Sequence, residues 1–580
     1  MQTHRPLVRR RLTPLLIAAS ILASATCARE RPRVAVPIGG SVAGAIASAE
    51  QEATAAGLDI LASGGNAADA AVTVALALAV VHPQAGNLGG GGFAVVRKGG
   101  TVETLDFRET APAAARRNMF TAPDGTALED ASLIGPLAAG VPGSPTGLFE
   151  LHKRYGRLPW VDVVGPALRL ARDGFAVSPR LHQAIAWEKD SLARFPETAS
   201  VWLPGGQPPA AGSHIVLPAL AATLADYAER GPAAITSGRV AAAIEEVSRR
   251  YGGILTAADI ASYRPVWRPP VRFRAFGFEV ASMPLPSSGG IILAETLLML
   301  ERLGYASLPT DSVERAHLQA ETWRRAYADR FILGDPAATE ATPEQLLDSA
   351  WLAFRSAGID RRRATPSPAV KPWDAAALAT AGATTHLSVI DARGLAVSLT
   401  TTLNGWFGCY LQVPGAGFLL NNEMDDFTTI PGHPNLYGLI QGGANAVVPG
   451  RRMLSSMTPT IAWNSRQTIA LGSPGGSRIP TATAQVLLSL IVDHMSLRDA
   501  VARPRIHHQW LPDEIVYEEG ALSGEAMIDL QHRGHTLRKA DWHVGEVDAV
   551  RWNEAGGFEA AADSRGPGGS GVAPEGVRSE

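Results

Sequence analysis

The feature that most constrains the fold is an abrupt change in sequence character at residue 384. From about residue 358 to residue 383 there is little apolar periodicity, and the segment contains Arg-Arg-Arg and Pro-Ser-Pro. That composition is typical of an exposed, mobile segment. Directly after it, residues 385–391 and 395–403 are β-rich, and the Ala-Arg-Gly sequence between them predicts a hairpin turn. A mobile segment therefore ends where a strand begins, and Thr384 stands at that point.

The region upstream of this change predicts helices followed by strands. Residues 46–62 are predicted to form a helix. Asn66 is suited to cap a second helix, residues 67–81, which is apolar almost all round and is expected to be buried. Two strands are predicted at residues 93–97 and 101–107, because a Gly-Gly turn separates two short apolar runs.

The remaining parts of the chain are less regular. Residues 145–335 are expected to be mostly helical, with a strand over residues 271–283, where apolar and polar residues partly alternate. More strands and helices are expected up to about residue 560. The Gly-rich tail, residues 565–580, is expected to be poorly ordered.

The N-terminus has the pattern of a secretory signal peptide, predicted here as residues 1–28. Four arginines among the first eleven residues precede the apolar run Leu12–Ala25, and small residues follow. This run is short for a membrane span, which needs about 20 residues. An amphipathic N-terminal helix, a twin-arginine export signal and a lipid anchor at Cys27 are alternatives. We expect an exported, periplasmic or secreted protein.

Composition argues against several classes of function. The formal net charge is −3, so nothing suggests the concentrated basic face that nucleic-acid binding needs. The two cysteines are Cys27 and Cys409, so removal of the signal peptide would leave no disulfide. No Cys/His cluster has zinc-site spacing, and the four glycines at 89–92 lack the Lys-Ser/Thr of a phosphate loop. We expect neither a metal nor a cofactor.

Thr384 could act as a nucleophile if the chain is cut after Ala383. The cut would give this residue a free α-amine beside its own hydroxyl, and such an amine has a pKa of about 7.7–8.0. It is therefore a base poised near neutral pH, and this pair is one known way to activate a weak nucleophile. Taken alone, Thr-Thr-His is an ordinary strand start. His386 is the competing general base, although a structural role fits it better.

Further motifs surround this residue in both directions along the chain. They are residues 64–71, 82–92, 105–109, 384–391, 400–404, 419–427, 454–459, 472–477 and 505–512. Together these segments resemble the γ-glutamyltranspeptidases, in the same order and over nearly the whole predicted mature chain.

The resemblance implies a fold and a set of site residues. The implied fold is α+β, a four-layer αββα sandwich of the N-terminal-nucleophile hydrolase type. Thr384 matches the nucleophile, Ala383–Thr384 the self-cleavage bond, and Thr402 a second threonine that contacts the nucleophile. Gly475 and Gly476 match the oxyanion hole of the family. The residues that match its binding site for the substrate α-carboxylate are Arg108, Ser455 and Ser456. Those that match its binding site for the α-amine are Asn404, Glu423 and Asp426.

Residues 431–447 resemble the lid loop of this family, with Tyr437 as the side chain that would cover the bound glutamyl group. The precursor would divide into a large subunit, residues 29–383, with a mobile end from about residue 358, and a small subunit, residues 384–580. The two would remain associated as a heterodimer. The implied substrates are glutathione and related γ-glutamyl compounds, with water, amino acids or peptides as acceptors.

Two alternatives remain open from the sequence. A cephalosporin acylase of the same fold would accept a glutaryl group, which has no α-amine, and Asp426 would then have no amine to pair with. A non-catalytic protein could also retain the fold and the glutamyl pocket. The sequence does not show whether Cys409 contacts the site.

Overall fold

The computed structural model describes residues 42–128, 130–373, 384–430 and 434–575. Two antiparallel sheets form its centre. The first sheet has seven strands, in the spatial order β18 (Gly569–Pro574), β1 (Val42–Ser48), β9 (Thr385–Asp391), β10 (Leu395–Thr402), β2 (Gly91–Lys98), β3 (Thr101–Asp106) and β6 (Val266–Arg268). The predicted hairpins 93–107 and 385–403 are both confirmed, and they lie side by side because β10 pairs with β2.

The second sheet has six strands, in the order β17 (Gly557–Ala561), β16 (Asp548–Asn553), β12 (Gln467–Gly472), β11 (Thr460–Trp463), β8 (Phe278–Ser282) and β7 (Val271–Ala275). The single strand predicted at 271–283 is therefore a hairpin of two. Smaller sheets contain β13 (Ile506–His507), β14 (Ile515–Tyr517) and β15 (Leu537–Lys539), and β4 (Phe175–Ala176) with β5 (His214–Ile215).

The two large sheets pack face to face. Small and β-branched side chains fill the space between them, among them Ala47, Ile390, Ala470 and Val550. Hydroxyl groups also cross the interface, since Ser398 Oγ donates to the carbonyl of Leu471 at 3.0 Å. Small side chains let the two sheets pack closely, so that side chains of one sheet can hydrogen-bond to the backbone of the other.

A helical layer covers the outer face of each sheet, which completes the predicted four-layer αββα arrangement. The first layer contains α1 (Gln51–Ala62), α2 (Ala67–Val81), α3 (Ser144–Tyr155), α4 (Trp160–Asp173), α5 (Pro179–Trp187), α6 (Lys189–Leu192), α7 (Pro196–Trp202), α8 (Pro218–Arg230), α9 (Ala233–Thr236), α10 (Gly238–Arg250) and α11 (Ala257–Ser262). The second layer contains α12 (Gly289–Arg302), α13 (Val313–Asp329), α14 (Pro343–Leu346), α15 (Ser349–Ala357), α16 (Ile479–Ile491), α17 (Leu497–Ala502) and α18 (Gly524–His532).

The predicted helix at 67–81 is confirmed at both ends as α2, and all fifteen of its residues are buried. The Asn66 side chain accepts from the backbone N–H groups of residues 68 and 69, so the expected cap is present. The helix predicted at 46–62 is wrong at its start, because residues 42–48 form β1. β1 lies between β18 and β9, and burial on both faces removes the alternation that would mark a strand.

The first part of the segment expected to be exposed and mobile, residues 358–373, packs against the molecule. The Ser367 N–H donates to Asp513 at 2.6 Å, and its carbonyl accepts from the Trp510 indole at 2.8 Å. Thr365 likewise bonds Glu321. Ile359 and Val370 of this segment also pack into the core of the second helical layer. Two buried apolar residues this far apart form no periodic pattern, so periodicity could not predict the packing. Residues 374–383 lie outside the described residues, as does the predicted signal peptide with Cys27.

The tail is also more structured than expected. Arg565 donates to Glu518 at 2.8 Å, and β18 forms an edge of the seven-stranded sheet. Its glycines permit this approach, because a Cβ at Gly569 would lie 2.8 Å from the Gln51 Cα. Within the described part of the chain, no helix combines the length and the apolar character that a membrane span requires.

Candidate active site

Thr384 and Thr402 lie at neighbouring strand ends. Thr384 directly precedes β9, whose first residue, Thr385, pairs with Thr401 on β10. Thr402 is the last residue of β10, and its hydroxyl accepts from the Asn404 N–H at 2.8 Å. Both threonines are buried, with Thr384 7% exposed. The hairpin thus brings a residue that precedes a strand next to one that ends the adjacent strand.

Both threonines line one small cavity, together with most of the residues predicted from the sequence. The cavity lining contains Arg108, Thr384, Thr402, Glu423, Asp426, Tyr437, Leu439, Ser455, Ser456, Met457, Gly476 and Ile479. Asn404 and Gly475 do not line it. The side chains come from loops after β3 and β10, from a short helical turn and from the start of α16, and they meet only in the folded chain.

Arg108 is the central charge of this cavity. It is 1% exposed, and its guanidinium makes close ion pairs with both Glu423 and Asp426. Its Nε also donates to the carbonyl of Met453 at 3.3 Å. Burial by itself would lower the pKa of Arg108, but the two carboxylates raise it above its ordinary value. Arg108 therefore stays charged, with both ends of its fork in use.

The carboxyl groups around Arg108 have raised pKa values. Burial raises the pKa of Glu423 well above its ordinary value, against the attraction of Arg108, and it raises that of Asp426 as well. Glu109, whose Oε2 lies 3.9 Å from Arg108, has a pKa raised to about 7 by burial. Three buried carboxyl groups thus lie around the Arg108 guanidinium, and a further cation beside them would favour their charged forms.

Backbone and amide contacts hold the two acidic residues in place. Glu423 and Asp426 belong to a 3₁₀ turn, Glu423–Asp426, at whose start the Asn421 amide oxygen accepts from the Glu423 N–H at 3.0 Å. Asn435 donates to Asp426 at 2.6 Å. Glu423 Oε2 is buried and has no hydrogen-bond partner within the described residues. The turn therefore fixes the positions of both carboxyl groups.

Ser455 and Ser456 differ in the hydrogen bonds that they make within the protein. The carbonyl of Ser455 accepts from both the N–H and the hydroxyl of Ser288, at 2.9 and 2.7 Å. The hydroxyl of Ser455 accepts from the Met457 N–H at 3.1 Å. The Ser456 hydroxyl is buried, and no described residue bonds to it. A buried hydroxyl of this kind at a cavity wall is available to a bound polar group.

Gly475 and Gly476 form the turn that enters α16. Their φ values, +126° and +58°, lie in the region that favours glycine. A Cβ on Gly476 would lie 1.9 Å from Cδ1 of Tyr437. The Tyr437 hydroxyl in turn donates to the carbonyl of Asn404 at 2.7 Å. Backbone, tyrosine ring and Asn404 carbonyl thus form one closely packed unit at the cavity.

Asn404 contributes through this unit rather than by lining the cavity. Its side-chain N–H donates to the carbonyl of Asn422 at 3.0 Å, and its amide oxygen has no hydrogen-bond partner among the described residues. Of the predicted lid loop, residues 431–433 are outside the described residues, and so is Ala383 of the predicted cleavage bond.

A larger cleft opens on the other side of Thr384. It has a volume of about 510 Å³, and its lining includes Gly475, Trp406, Trp542 and Glu188. Thr384 lies where the small cavity and this cleft meet, since it lines both. Thr384 is thus placed between a small cavity lined by charged residues and a larger cleft.

The other candidate side chains have structural surroundings. His386 hydrogen-bonds Thr400 at 2.8 Å and Ser388 at 3.0 Å, and burial lowers its pKa to about 3. His507 and His508 are buried too, with pKa values lowered by burial. Cys409 lies in the core of the first helical layer, and burial raises the pKa of its thiol to about 12. Cys409 is not part of the cavity lining.

Two charged residues near the cavity were not predicted. Glu109 lies at the end of segment 105–109, for which only Arg108 was assigned a role. Arg330 follows α13, is 1% exposed, and interacts electrostatically with Asp426. Its Nε donates to Ser288 at 3.0 Å, while both Nη atoms have no hydrogen-bond partner in the described part of the chain. Arg330 lies in a region predicted to be helical, and no local sequence pattern there indicates that its side chain is close to Asp426.

The chain is similar to known proteins over most of its length. The family model described as gamma-glutamyltranspeptidase matches residues 53–573. The glutathione hydrolase proenzyme of Pseudomonas aeruginosa is 38% identical over 563 residues, which is 96% of this chain and 99% of the relative. That of Escherichia coli is 40% identical over 528 residues, 90% of each chain.

Solved structures give the same fold. The cephalosporin acylase of Bacillus halodurans matches with a TM-score of 0.82 at 25% identity, over 96% of this chain and all of that one. The γ-glutamyltranspeptidase of Helicobacter pylori matches with a TM-score of 0.56 at 35% identity, over 59% of this chain and 97% of that one. On the extent of the family match and the identity to these relatives, the chain belongs to the γ-glutamyltranspeptidase family.

Proposed function

We propose that the chain is the proenzyme of an enzyme that cleaves the γ-glutamyl amide of glutathione and related compounds and passes the glutamyl group to water or to an amine. The observation that carries the proposal is the shared cavity, in which Thr384 faces an arginine flanked by two carboxylates. Such a cavity has the charges that an amino-acid head group requires. The glutathione hydrolase relatives support this substrate.

Processing comes first in the proposed sequence of steps. The Thr384 hydroxyl attacks the carbonyl of Ala383, the peptide nitrogen leaves as the amine of Thr384, and water hydrolyses the resulting ester. The products are a large subunit, residues 29–383, and a small subunit, residues 384–580. The shared sheet supports their continued association, because β9 of the small subunit pairs with β1 of the large one.

The mature site then transfers the γ-glutamyl group. The Thr384 hydroxyl gives its proton to its own amine and attacks the γ-carbonyl, and the former amine of the substrate leaves with a proton. Thr402 contacts the nucleophile, and the N–H groups of Gly475 and Gly476 stabilise the oxyanion, for which backbone donors at a helix start are suited. Arg108, Ser455 and Ser456 bind the α-carboxylate, and Glu423 and Asp426 bind the α-amine. Asn404, which does not line the cavity, holds the Tyr437 hydroxyl through its carbonyl. Tyr437 covers the bound group.

The competing function is a glutaryl acylase, because two proteins similar to this chain are named as acylases. One is the Bacillus halodurans structure, and the other is the Acylase ACY 1 proenzyme of Pseudomonas sp. strain SE83, 35% identical over 89% of this chain. A glutaryl group has no amine to occupy the space beside Glu423 and Asp426. Since those carboxyl groups are buried, their partial desolvation without a cation would be unfavourable.

The deciding measurement compares a γ-glutamyl anilide with a glutaryl anilide, alongside release of cysteinylglycine from glutathione. We expect kcat/KM to be at least about 100-fold higher for the γ-glutamyl donor, since a hydrogen-bonded ion pair contributes about 1.5–3 kcal/mol and two carboxyl groups are available. A preference for the glutaryl donor would establish the acylase function. Absence of turnover with either donor and with glutathione would contradict both.

Gly476→Ala tests the proposed oxyanion hole. The added methyl group would overlap the Tyr437 ring and strain the backbone, so the N–H groups of this turn should move. We expect kcat to fall by about 10²–10³, the usual cost of one lost oxyanion donor. Gly100→Ala is the matched control, because a Cβ there meets nothing within 4 Å. Wild-type kcat for Gly476→Ala would exclude this role.

A further inference from the structure

Arg330 is a second buried guanidinium, outside the cavity lining, to which the proposed steps assign no part. It is the first residue of the 3₁₀ turn Arg330–Ile332, which follows α13, and it is 1% exposed. Its Nε donates to Ser288 Oγ at 3.0 Å, and neither Nη hydrogen-bonds to a described residue. Burial lowers the pKa of Arg330 to about 10, against the attraction of Asp426, so Arg330 is charged at neutral pH. Among the described residues, no carboxylate neutralises this charge through a hydrogen bond.

The hydrogen bonds of Arg330 lead to the backbone of Ser455. A guanidinium can only donate, and a carbonyl oxygen can only accept. The one hydroxyl proton of Ser288 therefore goes to the Ser455 carbonyl at 2.7 Å, while the Ser288 oxygen accepts from Arg330. The Ser288 N–H donates to the same carbonyl at 2.9 Å. Successive hydrogen bonds polarise one another, so the charge of Arg330 strengthens the bond that holds Ser455.

Ser455 and Ser456, here called the serine wall, depend on this chain of hydrogen bonds for their position. Both line the cavity, whereas Arg330 does not. A further bond joins the same two segments, since the Ser455 N–H donates to the Pro286 carbonyl at 2.8 Å. Ser455 is thus fixed at both its N–H and its carbonyl. A shift of Ser288 would therefore move the hydroxyl groups of the serine wall.

Arg330 also acts on Asp426, which belongs to the proposed amine site. Burial raises the pKa of Asp426, and the charges of Arg108 and Arg330 act against this increase. Arg108 hydrogen-bonds to Asp426 and lines the cavity, so a substrate carboxylate can compete for it. Arg330 does neither, and its charge acts on Asp426 through a buried medium of low polarity. It therefore continues to favour the ionised form of Asp426 when Arg108 binds another partner.

We propose that Arg330 is a positioning residue for donor binding, which holds the serine wall through Ser288 and keeps a fixed positive charge near Asp426. The inference rests on the proposed function, in which the serine wall binds the α-carboxylate and Asp426 binds the α-amine. Arg330 itself contacts neither group of the substrate. Because it acts on both sides of the head group, its loss should weaken the binding of a donor more than it slows the chemical step.

The test compares Arg330→Met, which removes the charge, with Arg330→Lys, which keeps it. Hydrolysis of a γ-glutamyl anilide is followed across the acidic and neutral pH range, with rates expressed per processed chain. We expect Arg330→Met to raise KM about tenfold or more and to change kcat less than about threefold. Loss of the positive charge favours the protonated form of Asp426, so the fall of kcat/KM with acid should begin at a higher pH. Arg330→Lys should keep the wild-type pH dependence.

The other titratable groups near these two residues are the same in both variants, so they cannot account for a difference between methionine and lysine. The groups that face Asp426 are Arg108, Glu109, Glu423 and Asp425, and those that face Arg330 besides Asp426 are Arg108 and Tyr327. The amine of Thr384 is also common to both variants. The difference between the two pH profiles therefore reports the charge of Arg330.

Ser288→Ala tests the chain of hydrogen bonds separately, because it keeps the charge of Arg330. The Ser455 carbonyl then loses one of its two donors. We expect the preference for the γ-glutamyl anilide over the 4-aminobutanoyl anilide, which lacks the α-carboxylate, to fall about twofold to tenfold, the effect of one hydrogen bond. The pH dependence should remain that of the wild type. An unchanged donor preference would overturn the role of the chain.

Arg315→Met is the matched control, since Arg315 is also a buried arginine, 5% exposed, on α13, and it lines neither the small cavity nor the cleft. Its partner Asp493 retains an ion pair with Arg503. KM, donor preference and pH dependence should all stay at their wild-type values. The inference is overturned if Arg315→Met shows the same changes as Arg330→Met, or if Arg330→Met and Arg330→Lys have the same pH dependence.

If Arg330→Met does not accumulate as folded protein, Arg330→Gln takes its place, because it removes the charge and keeps an N–H donor for Ser288. The same shift in pH dependence is then expected, and a wild-type profile would overturn the inference. Failure of the proposed function is distinct, because the wild-type enzyme itself would then turn over no γ-glutamyl anilide.

Discussion

Replacing Thr384 with alanine should yield one uncut chain and no measurable turnover of glutathione. The substitution removes the hydroxyl that is proposed to attack both the Ala383 carbonyl and the γ-glutamyl amide, so both reactions should stop together. We expect kcat to fall by at least about 10⁴, as in other enzymes that lose their nucleophile. A denaturing gel and intact mass report the cut, and glutamate release reports turnover.

Two further variants make this result specific to Thr384. Thr384→Ser keeps a hydroxyl and an N-terminal amine, so it should still be cut and retain part of the activity. Thr385→Val is the matched control, because Thr385 is buried and its hydroxyl has no hydrogen-bond partner among the described residues. It should be cut normally. Two fragments from Thr384→Ala, or full turnover by uncut protein, would contradict the assignment.

The hairpin that positions Thr384 could be predicted from the sequence because its two strands have a clear turn between them. β1 could not, although it lies beside β9 in the same sheet. Its residues are small and apolar on both faces, so they fit a helix and a buried strand equally well. Long-range pairing with β18 decides between the two, and a local pattern contains no information about that partner.

The site shows the same limit at the level of single residues. Arg108, Glu423 and Asp426 were found through resemblance to a family, and their meeting in one cavity depends on contacts across about three hundred residues of chain. Arg330 had no such signal, since its proximity to Asp426 arises from the packing of α13 against the site. Charge type can be read from a sequence, whereas burial, which raises the pKa of Glu109 to about 7, cannot.

Within the protein, the Arg108 guanidinium pairs with both Glu423 and Asp426. In the proposed complex, the substrate carboxylate would take the arginine fork and the substrate ammonium would provide a cation for the acidic residues. Arg108, Glu423 and Asp426 would then each exchange one charged partner for another. Binding of a zwitterion is consistent with this exchange, while a ligand lacking either charge would leave it incomplete.

Arg108→Lys should therefore reduce the selectivity of the enzyme for a complete amino-acid head group. Lysine keeps the positive charge that the buried carboxyl groups require, so the chain should still fold and be cut. It loses the planar fork that binds a carboxylate through two parallel hydrogen bonds. We expect kcat/KM for a γ-glutamyl anilide to fall about 100-fold, which corresponds to roughly 2.7 kcal/mol of lost charge-assisted hydrogen bonding.

A donor without the α-carboxylate separates this effect from general damage. The wild-type enzyme should strongly prefer the γ-glutamyl anilide over the 4-aminobutanoyl anilide, which has the amine but no carboxylate. In Arg108→Lys the first donor should lose far more than the second, so the preference should shrink by about tenfold or more. Arg268→Lys is the matched control, because Arg268 also pairs with a buried acid, Asp106, but does not line the cavity. Equal losses for both donors would show that Arg108 supports the structure without contacting the carboxylate, because a group that holds the carboxylate cannot affect a donor that lacks one to the same extent.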